Sequence, residues 1–147
     1  MPITRQATIA DLDTIVPLFD GYRQFYKQSS DIVAARAFLL DKFQHSESTI
    51  FICEDGDQAI GFAQLFPTFS SAAMRRVYIL NDLFVLPQAR GRGVGRMLLQ
   101  AAATFAKDIG AIRLQLVTAK DNMPAQTLYT AMGWQQDTQY YTFNLTV

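Results

Sequence analysis

Glycines alternate with arginines in a short loop between a strand-like and a helix-like segment of the stretch Leu83–Leu99. The glycines are Gly91, Gly93 and Gly95, and the arginines are Arg90, Arg92 and Arg96. Glycine lets the backbone approach a ligand closely, and the first N–H groups of a helix have no partner within it. Such N–H groups and the positive end of the helix dipole attract anions, and guanidinium groups suit a pyrophosphate. The loop is therefore predicted to bind a phosphorylated ligand.

Two common phosphate-binding motifs do not fit this loop. No Gly-Lys-Ser/Thr follows the glycines, and Arg96 occupies the position of the third glycine in the dinucleotide-binding fingerprint. On the loop alone, two interpretations stay open. One is a phosphate-binding loop, and the other is a tight strand-to-helix turn with solvated arginines.

A longer pattern surrounds the loop and recurs in a second segment. Its first part reads Phe84-Val85-x-Pro87, then Arg90-x-x-Gly93-x-Gly95, then Leu98-Leu99. Its second part reads Asn122-x-x-Ala125-x-x-Leu128-Tyr129-x-x-x-Gly133-Trp134. The first part resembles the acetyl-coenzyme A signature of the GNAT N-acetyltransferase superfamily, and the second resembles that family's downstream motif. The first half of the chain is similar to the family in element order rather than by motif.

The resemblance implies an acetyltransferase with acetyl-CoA as co-substrate and without a metal. It implies that the backbone of Leu83 and Val85, on either side of Phe84, holds the pantetheine arm by sheet-like hydrogen bonds. It places the pyrophosphate on backbone N–H groups of Arg90, Gly91, Arg92, Gly93, Val94, Gly95 and Arg96. Asn122 would contact the pantetheine or a catalytic water network. Tyr129 matches a tyrosine that, in many members, faces the coenzyme sulfur and donates a proton to it.

An amine acceptor would have to lose a proton before it attacks. An alkylamine with a pKa of about 10.4 is only about one part in 2,500 neutral at pH 7, a cost of roughly 4.6 kcal/mol. Asp82 is the candidate base, since strand alternation places it with Leu80 and Phe84, where apolar neighbours raise a carboxyl pKa. A carboxylate bonded to a neighbouring loop is the equal alternative. Asn81 stands where some polyamine-acetylating relatives have glutamate, so it is expected at most to orient a water.

The acceptor site is expected to involve the first two helices, as the resemblance implies. Tyr22, Tyr26 and Asp31 provide aromatic faces and a carboxylate, which suit a cationic amine. The substrate expected is a small-molecule amine, a polyamine or a lysine side chain of a peptide. A protein N-terminus, an aminoglycoside-type amine, or a catalytically silent CoA-binding sensor are the alternatives.

Composition excludes several other classes of protein. The chain has 147 residues, half of them apolar and 18% charged, which excludes a disordered chain. Its formal net charge of +0 argues against a general nucleic-acid binder. One cysteine, one histidine and the lack of a long apolar run predict a cytoplasmic protein without a disulfide, a His-rich metal site or a membrane span. Relatives are often dimers, so a homodimer is a further expectation.

Apolar residues recur at helical spacing in some segments and at strand-like spacing in others. This pattern predicts one domain over residues 1–147, of mixed α/β class. We expect a twisted, mixed but largely antiparallel sheet of six to seven strands with about four helices, in the order β-α-α-β-β-β-α-β-α-β. The predicted strands are 3–7, 49–54, 59–66, 76–85, 112–117 and 140–145. The predicted helices begin near Asp11, Asp31, Val94 and Asn122, and the last two end at glycines, Gly110 and Gly133.

Overall fold

A mixed sheet of five strands, in the spatial order β1-β2-β3-β4-β5, organises the first compact unit of the chain, Met1–Leu116. The computed structural model describes all residues from 1 to 147. The strands are β1 Pro2–Gln6, β2 Thr49–Asp55, β3 Gln58–Ser70, β4 Arg75–Val85 and β5 Leu114–Gln115. Neighbours from β1 to β4 pair antiparallel, and β5 runs parallel to β4. The predicted mixed, largely antiparallel sheet is confirmed.

Four helices accompany these strands, as predicted. In the first unit they are α1 Leu12–Phe25, α2 Ile32–Gln44 and α3 Val94–Asp108, with short 3-10 turns at Ile9–Asp11 and Pro87–Ala89. The second compact unit, Val117–Val147, contains α4 Met123–Ala131. The assignment of residues 1–147 to one domain stays a prediction. No helix of the structure combines the length and the apolar character that crossing a membrane requires.

The two faces of the sheet carry different helices. One face holds the main core, in which side chains of α1 and α2 pack against Ile52, Phe62 and Phe84. On the opposite face, Gly61 faces α3, because a β-carbon built on it would lie 3.1 Å from Val94 and 3.2 Å from Leu98. Since residues alternate along β3, Phe62 and Gln64 point toward α1 and α2, whereas Ala63 and Leu65 point toward α3.

A β-bulge in β4 changes the expected alternation. Gln64 pairs with Asp82, but the next residue of β3, Leu65, pairs with Leu80, so Asn81 is an extra residue without an opposite partner. Residues that are paired across two strands share a face. Asp82 therefore lies with Gln64 and Phe84 on the α1 side, and Leu80 lies on the α3 side. The expectation that Asp82 shares a face with Leu80 is wrong, because alternation along one strand does not reveal an inserted residue.

The sheet has fewer strands than the six to seven expected. The predicted strand 112–117 forms ladder pairs only at Leu114 and Gln115, and the predicted strand 140–145 is absent, because residues 135–147 contain no helix or strand. Their aromatic and β-branched residues have strand propensity, but a strand also needs a neighbour for its backbone groups. Tyr140, Tyr141 and Phe143 are instead exposed. The observed element order therefore ends with α4.

Candidate active site

The outer edge of β4 is open along its second half. β5 pairs with β4 only at Tyr78 and Ile79, so no strand covers the edge that follows. The Leu86 N–H donates to the Ile60 carbonyl at 2.9 Å, which makes these opposite residues a hydrogen-bonded pair with β3. Hydrogen bonding alternates along an antiparallel ladder. The backbone N–H and C=O groups of Leu83 and Val85 consequently point away from β3, toward the open edge.

The bulge determines which backbone groups face that edge. Before it, Arg76 and Tyr78 hydrogen-bond to the chain at β5, since the Arg76 carbonyl accepts from Ile112 and the Tyr78 N–H donates to Arg113. Without an inserted residue, the even-numbered positions would continue to face outward. Asn81 shifts the phase by one, so Leu83 and Val85 face outward instead. Their backbone groups, apart from the Val85 carbonyl that Arg90 binds, have no strand partner on that side within residues 1–116.

The loop after β4 presents a row of backbone N–H groups. Gly91 and Gly93 adopt left-handed conformations with φ of 78° and 79°, and Gly93 is the N-cap of α3. The first helical bond runs from the Met97 N–H to the Gly93 carbonyl. Within residues 1–116, no N–H group from Gly91 to Arg96 donates to a protein acceptor. The predicted anion-binding loop therefore has its donors available at the positive end of a 15-residue helix.

The three arginines of the loop do not all surround that helix end. Arg90 donates from Nε to the Val85 carbonyl at 3.0 Å, and its guanidinium lies 5.8 Å from the ring centres of Phe25 and Phe84. Arg92 pairs with Asp55 of β2 at 2.6 Å. Arg96 lines a groove of about 690 Å³ between α3 and β1. A role of the three guanidinium groups, and of the backbone N–H groups, in binding a pyrophosphate stays a prediction.

Asp82 lies at the centre of a buried polar cluster beside the bulge. Only 2% of Asp82 is exposed. Its Oδ2 accepts from the Gln64 amide at 2.6 Å, and its Oδ1 accepts from the Asn81 amide at 2.8 Å. Burial raises the pKa of the Asp82 carboxyl, and the hydrogen bonds from Asn81 and Gln64 oppose that rise. A raised pKa suits a carboxyl group that accepts a proton.

An aromatic group from α1 covers this cluster. The Tyr22 hydroxyl donates to the Asn81 carbonyl at 3.0 Å, and the Tyr22 ring lies 4.9 Å from the ring of Tyr26. Tyr22 is half-buried, whereas Tyr26 is exposed. Burial, followed by the charge of Asp82, raises the pKa of Tyr22, so its hydroxyl stays protonated. Two aromatic rings, one of them exposed, and a buried carboxylate therefore converge at the bulge.

Asp31 has a structural contact that the sequence interpretation did not include. Its carboxylate accepts from the Ala34 N–H at 3.0 Å, which makes it the N-cap of α2. Its own N–H donates at 2.8 Å to Asp20, a buried carboxylate of α1 that also accepts from Ser30 at 2.7 Å. Asp20 and Asp31 together fix the loop between α1 and α2. A role for Asp31 in binding an amine stays a prediction.

Asp20 and Gln64 are the polar residues that sequence reasoning missed. Both are buried in the fold, at 4% and 0% exposure. Asp20 follows the apolar positions of α1, and Gln64 lies in an apolar stretch of β3. A polar residue at a core position is a recognisable signal, because it must find hydrogen-bond partners there.

The second unit contains the remaining predicted residues. Asn122 caps α4, with its side-chain oxygen accepting from the Ala125 N–H at 3.3 Å. Tyr129 lies near the end of α4, and its ring lies 6.0 Å from the ring of Trp134. The backbone N–H of Trp134 donates to the Tyr129 carbonyl. Gly133, with φ of 94°, permits the chain reversal that brings Trp134 back. The roles of Asn122 and Tyr129 toward a coenzyme stay predictions.

One exposed cluster has the ligand types of a metal site, namely Asp41, His45 and Glu47. The Lys42 ammonium donates to both carboxylates, at 3.1 Å to Asp41 and 2.9 Å to Glu47. A lysine charge already compensates these carboxylates, so nothing in the cluster points to a cation.

The edge of β4 beyond β5 therefore leads into the N-terminus of α3, and the buried carboxylate of Asp82 lies on the same strand. Residues 15–134 match the model of the acetyltransferase (GNAT) family. The uncharacterized N-acetyltransferase YhfO of Bacillus subtilis (strain 168) is 48% identical over 143 residues, which cover 97% of this chain and 96% of that protein. The thialysine N-epsilon-acetyltransferase of Bos taurus is 26% identical over 147 residues, which cover 92% and 85%.

A solved structure agrees in fold along nearly the whole chain. The crystal structure of a probable acetyltransferase is 36% identical, with a TM-score of 0.94, and the match covers 99% of this chain and 97% of that one. The chain belongs to the GNAT family of acetyltransferases. It is an acyltransferase with the GNAT-like fold, and its reaction is acetyl transfer. Acetyl-CoA is the acetyl donor that this family uses.

Proposed function

We propose that this enzyme transfers the acetyl group of acetyl-CoA to a cationic primary amine, which is a small molecule, a polyamine or a lysine side chain. The observation that carries the proposal is the buried Asp82 carboxylate beneath Tyr22, at the bulge that opens the edge of β4. A cation is attracted by aromatic faces and by a carboxylate. Tyr22 and Tyr26 provide the aromatic faces of the acceptor site, and Asp82 provides the charge.

Asp82 accepts the proton that the amine must lose. Supplying the neutral amine costs roughly 4.6 kcal/mol at pH 7, and a carboxylate in the acceptor site gives the departing proton a nearby acceptor. Asn81 donates to Asp82 and is exposed at the bulge, where it orients the carboxylate or a water between carboxylate and amine. The similarity to the thialysine N-epsilon-acetyltransferase supports an acceptor whose amine lies on an alkyl chain, because that protein's name describes such an acceptor.

The acetyl donor supplies a thioester, and this chain holds it by its backbone. Leu83 offers its N–H and C=O groups and Val85 its N–H group along the outer edge of β4, and the N–H groups from Gly91 to Arg96 suit the pyrophosphate. Transfer is direct, without a covalent enzyme intermediate. Cys53, the single thiol, is buried in β2, and burial raises its pKa, so little thiolate forms.

A panel of acceptors tests the proposed reaction. Thiol release from acetyl-CoA is measured with spermidine, lysine, a lysine-containing peptide, a peptide with a free N-terminus as its sole amine, and an aminoglycoside. We expect turnover with the alkylamines, at the highest kcat/KM for one of the first three. Turnover confined to the N-terminal peptide or the aminoglycoside would replace the proposed substrate class. Binding of CoA in calorimetry without turnover on any amine would favour a sensor over an enzyme for small amines.

Tyr129 is the proposed acid that protonates the leaving thiolate. We expect Tyr129→Phe to reduce kcat about 10²-fold, the lower range for loss of a general acid, with little change in CoA affinity. Trp134→Phe is the matched control, since it alters the ring next to Tyr129 but leaves the hydroxyl. Unchanged kcat in Tyr129→Phe, measured on the best acceptor of the panel, would remove Tyr129 from this role.

A further inference from the structure

Gln64 is a fully buried amide in the middle of β3. It is 0% exposed and lies on the face of the sheet that also holds Phe62, in the main core. A buried amide is costly unless its donors and acceptor are paired. Gln64 is paired on both sides, and no side-chain polar atom that is buried in the structure lacks a partner. The cost of burying this amide is therefore offset by the groups that it binds.

The Gln64 amide lies between Ser48 and Asp82. The Ser48 hydroxyl donates at 2.8 Å to Oε1 of Gln64, and the ionised Asp82 carboxylate, which can only accept, requires the amide nitrogen on its side. That nitrogen donates at 2.6 Å to Oδ2 of Asp82. Gln64 and Asp82 are directly opposite each other in the β3–β4 ladder, so the backbone fixes their separation. Two consecutive hydrogen bonds thus connect Ser48, in the loop before β2, through Gln64 to Asp82 at the bulge.

Few other charges reach the Asp82 carboxylate. From α1, the titratable group that faces it is Tyr22, with Tyr26 next to Tyr22. From β3 and the loop before β2 come only the neutral side chains of Gln64 and Ser48. Asn81 of β4 is also neutral. No cation pairs with the carboxylate, so its negative charge depends on donated hydrogen bonds.

We propose that Gln64 is a positioning residue: its amide N–H, with the amide oxygen bound by Ser48, keeps the Asp82 carboxylate ionised and fixed in direction beneath the acceptor amine. The inference rests on the proposed function, in which Asp82 accepts the proton of that amine. Gln64 itself does not touch the substrate, because it is buried behind Asp82. It acts through the carboxylate that it binds.

The expected effect is a shift in the titration of Asp82. Gln64→Met retains the length and much of the volume but removes the donor, so the pKa of Asp82 rises by about one to two units, the value of one hydrogen bond to a charged group. Ser48→Ala keeps the amide but removes the hydroxyl that binds its oxygen. A smaller shift of the Asp82 pKa in the same direction is expected. Gln100→Met, an exposed position on α3, is the matched control and leaves the titration unchanged.

Carbon-13 NMR of the aspartate carboxyl groups measures this titration without any substrate. Asp82→Asn assigns the signal by its disappearance. A higher pKa of Asp82 in Gln64→Met and in Ser48→Ala supports the inference, and an unchanged or lower value in both folded variants overturns it. If Gln64→Met does not fold, Ser48→Ala, with its change in a loop, decides.

Activity then separates the inference from the proposed function. The acidic limb of kcat/KM, measured on the best alkylamine, is expected to move to higher pH by the shift that NMR gives. A purely structural role of Gln64 would lower kcat equally at every pH. If the carboxyl titration shifts but the pH profile does not, Gln64 still controls Asp82, and the role of Asp82 as proton acceptor is wrong.

Discussion

Replacing Asp82 by asparagine is expected to reduce kcat/KM by about 10²- to 10⁴-fold and, at neutral pH, to raise Tm. The loss of activity is that of a general base, since the amide cannot accept the proton of the ammonium group. Affinity for CoA is expected to stay nearly unchanged, because the side chain of Asp82 points toward α1, whereas the outward backbone groups belong to Leu83 and Val85.

The expected gain in stability follows from the direction of the pKa shift. Burial raises the pKa of Asp82 above its value in the unfolded chain. The folded state then binds the proton more tightly, so the stability that Asp82 contributes is fully present below the unfolded pKa, about 3.9, and is lost as pH rises through the folded pKa. Asparagine remains neutral at every pH. Its advantage in Tm is therefore absent in acid and grows toward neutral pH.

The surrounding hydrogen bonds permit this substitution. Gln64 and Asn81 both donate to the carboxylate, and an asparagine at position 82 offers one acceptor and one donor group in its place. A rotation of the Gln64 amide turns its oxygen to the new donor, and the Ser48 hydroxyl then accepts from the amide nitrogen. Each polar group keeps a partner. We expect an increase in Tm of about 2–4 °C, which corresponds to about 1 kcal/mol in a domain of this size.

Asp20→Asn is the matched control for stability, because Asp20 is also buried but its pKa shifts the other way. The Ser30 hydroxyl, then the Asp31 N–H, lowers the pKa of Asp20. Its contribution to stability is present above the unfolded pKa and lost as pH falls, so Asp20→Asn is expected to lower Tm at neutral pH. Thermal unfolding of both variants across pH 4–8 measures the two signs. Full activity of Asp82→Asn, or a lower Tm at neutral pH, would contradict the prediction.

The glycine-rich loop between β4 and α3 was the part of the candidate site most accessible from sequence. Its glycines and the following helix depend on local conformation, and local conformation is what spacing and propensity describe. The loop arginines were less predictable, because Arg92 pairs with Asp55 from a hairpin far away in sequence. The direction of a long side chain depends on the charges that the fold brings near it.

Because of the bulge at Asn81, the sequence alone did not predict correctly which residues share a face of the sheet with Asp82. The alternating pattern of residues 80–84 gives no sign of an inserted residue, so it placed Asp82 with Leu80 rather than with Gln64. The pairing partner across the ladder decides the face, and a single strand does not contain that information. For the same reason, the pattern of residues 140–145 predicted a strand without a partner to form it.

Replacing Gly93 by leucine is expected to weaken CoA binding at least 10²-fold without unfolding the protein. Gly93 has φ of 79° and is the N-cap of α3, directly before the helix N–H groups. A β-carbon there would meet nothing within 4 Å, so a leucine side chain extends into open space next to the first N–H groups of α3 in sequence. It would occupy the place of an anion at the helix start and block its hydrogen bonds.

Backbone strain accompanies this substitution and must be separated from the steric effect. A left-handed conformation costs about 1–2 kcal/mol for a residue with a β-carbon, which a folded domain of ordinary stability tolerates. Gly110→Leu is the matched control, because Gly110 has φ of 77°, is exposed and also has open space at its β-carbon. Both variants are expected to lose similar Tm. Only Gly93→Leu is expected to lose CoA affinity.

Calorimetry with CoA and thermal unfolding of the two variants together distinguish a blocked anion site from backbone strain. Pantetheine, the part of CoA without the pyrophosphate and the nucleotide, is the second ligand. Gly93→Leu is expected to leave its weak binding along β4 nearly unchanged. Equal loss of CoA affinity in both variants would assign the effect to strain rather than to the loop. If Gly93→Leu binds CoA as well as the parent chain, the pyrophosphate does not lie on the N–H row, and the anion-binding function of this loop is wrong.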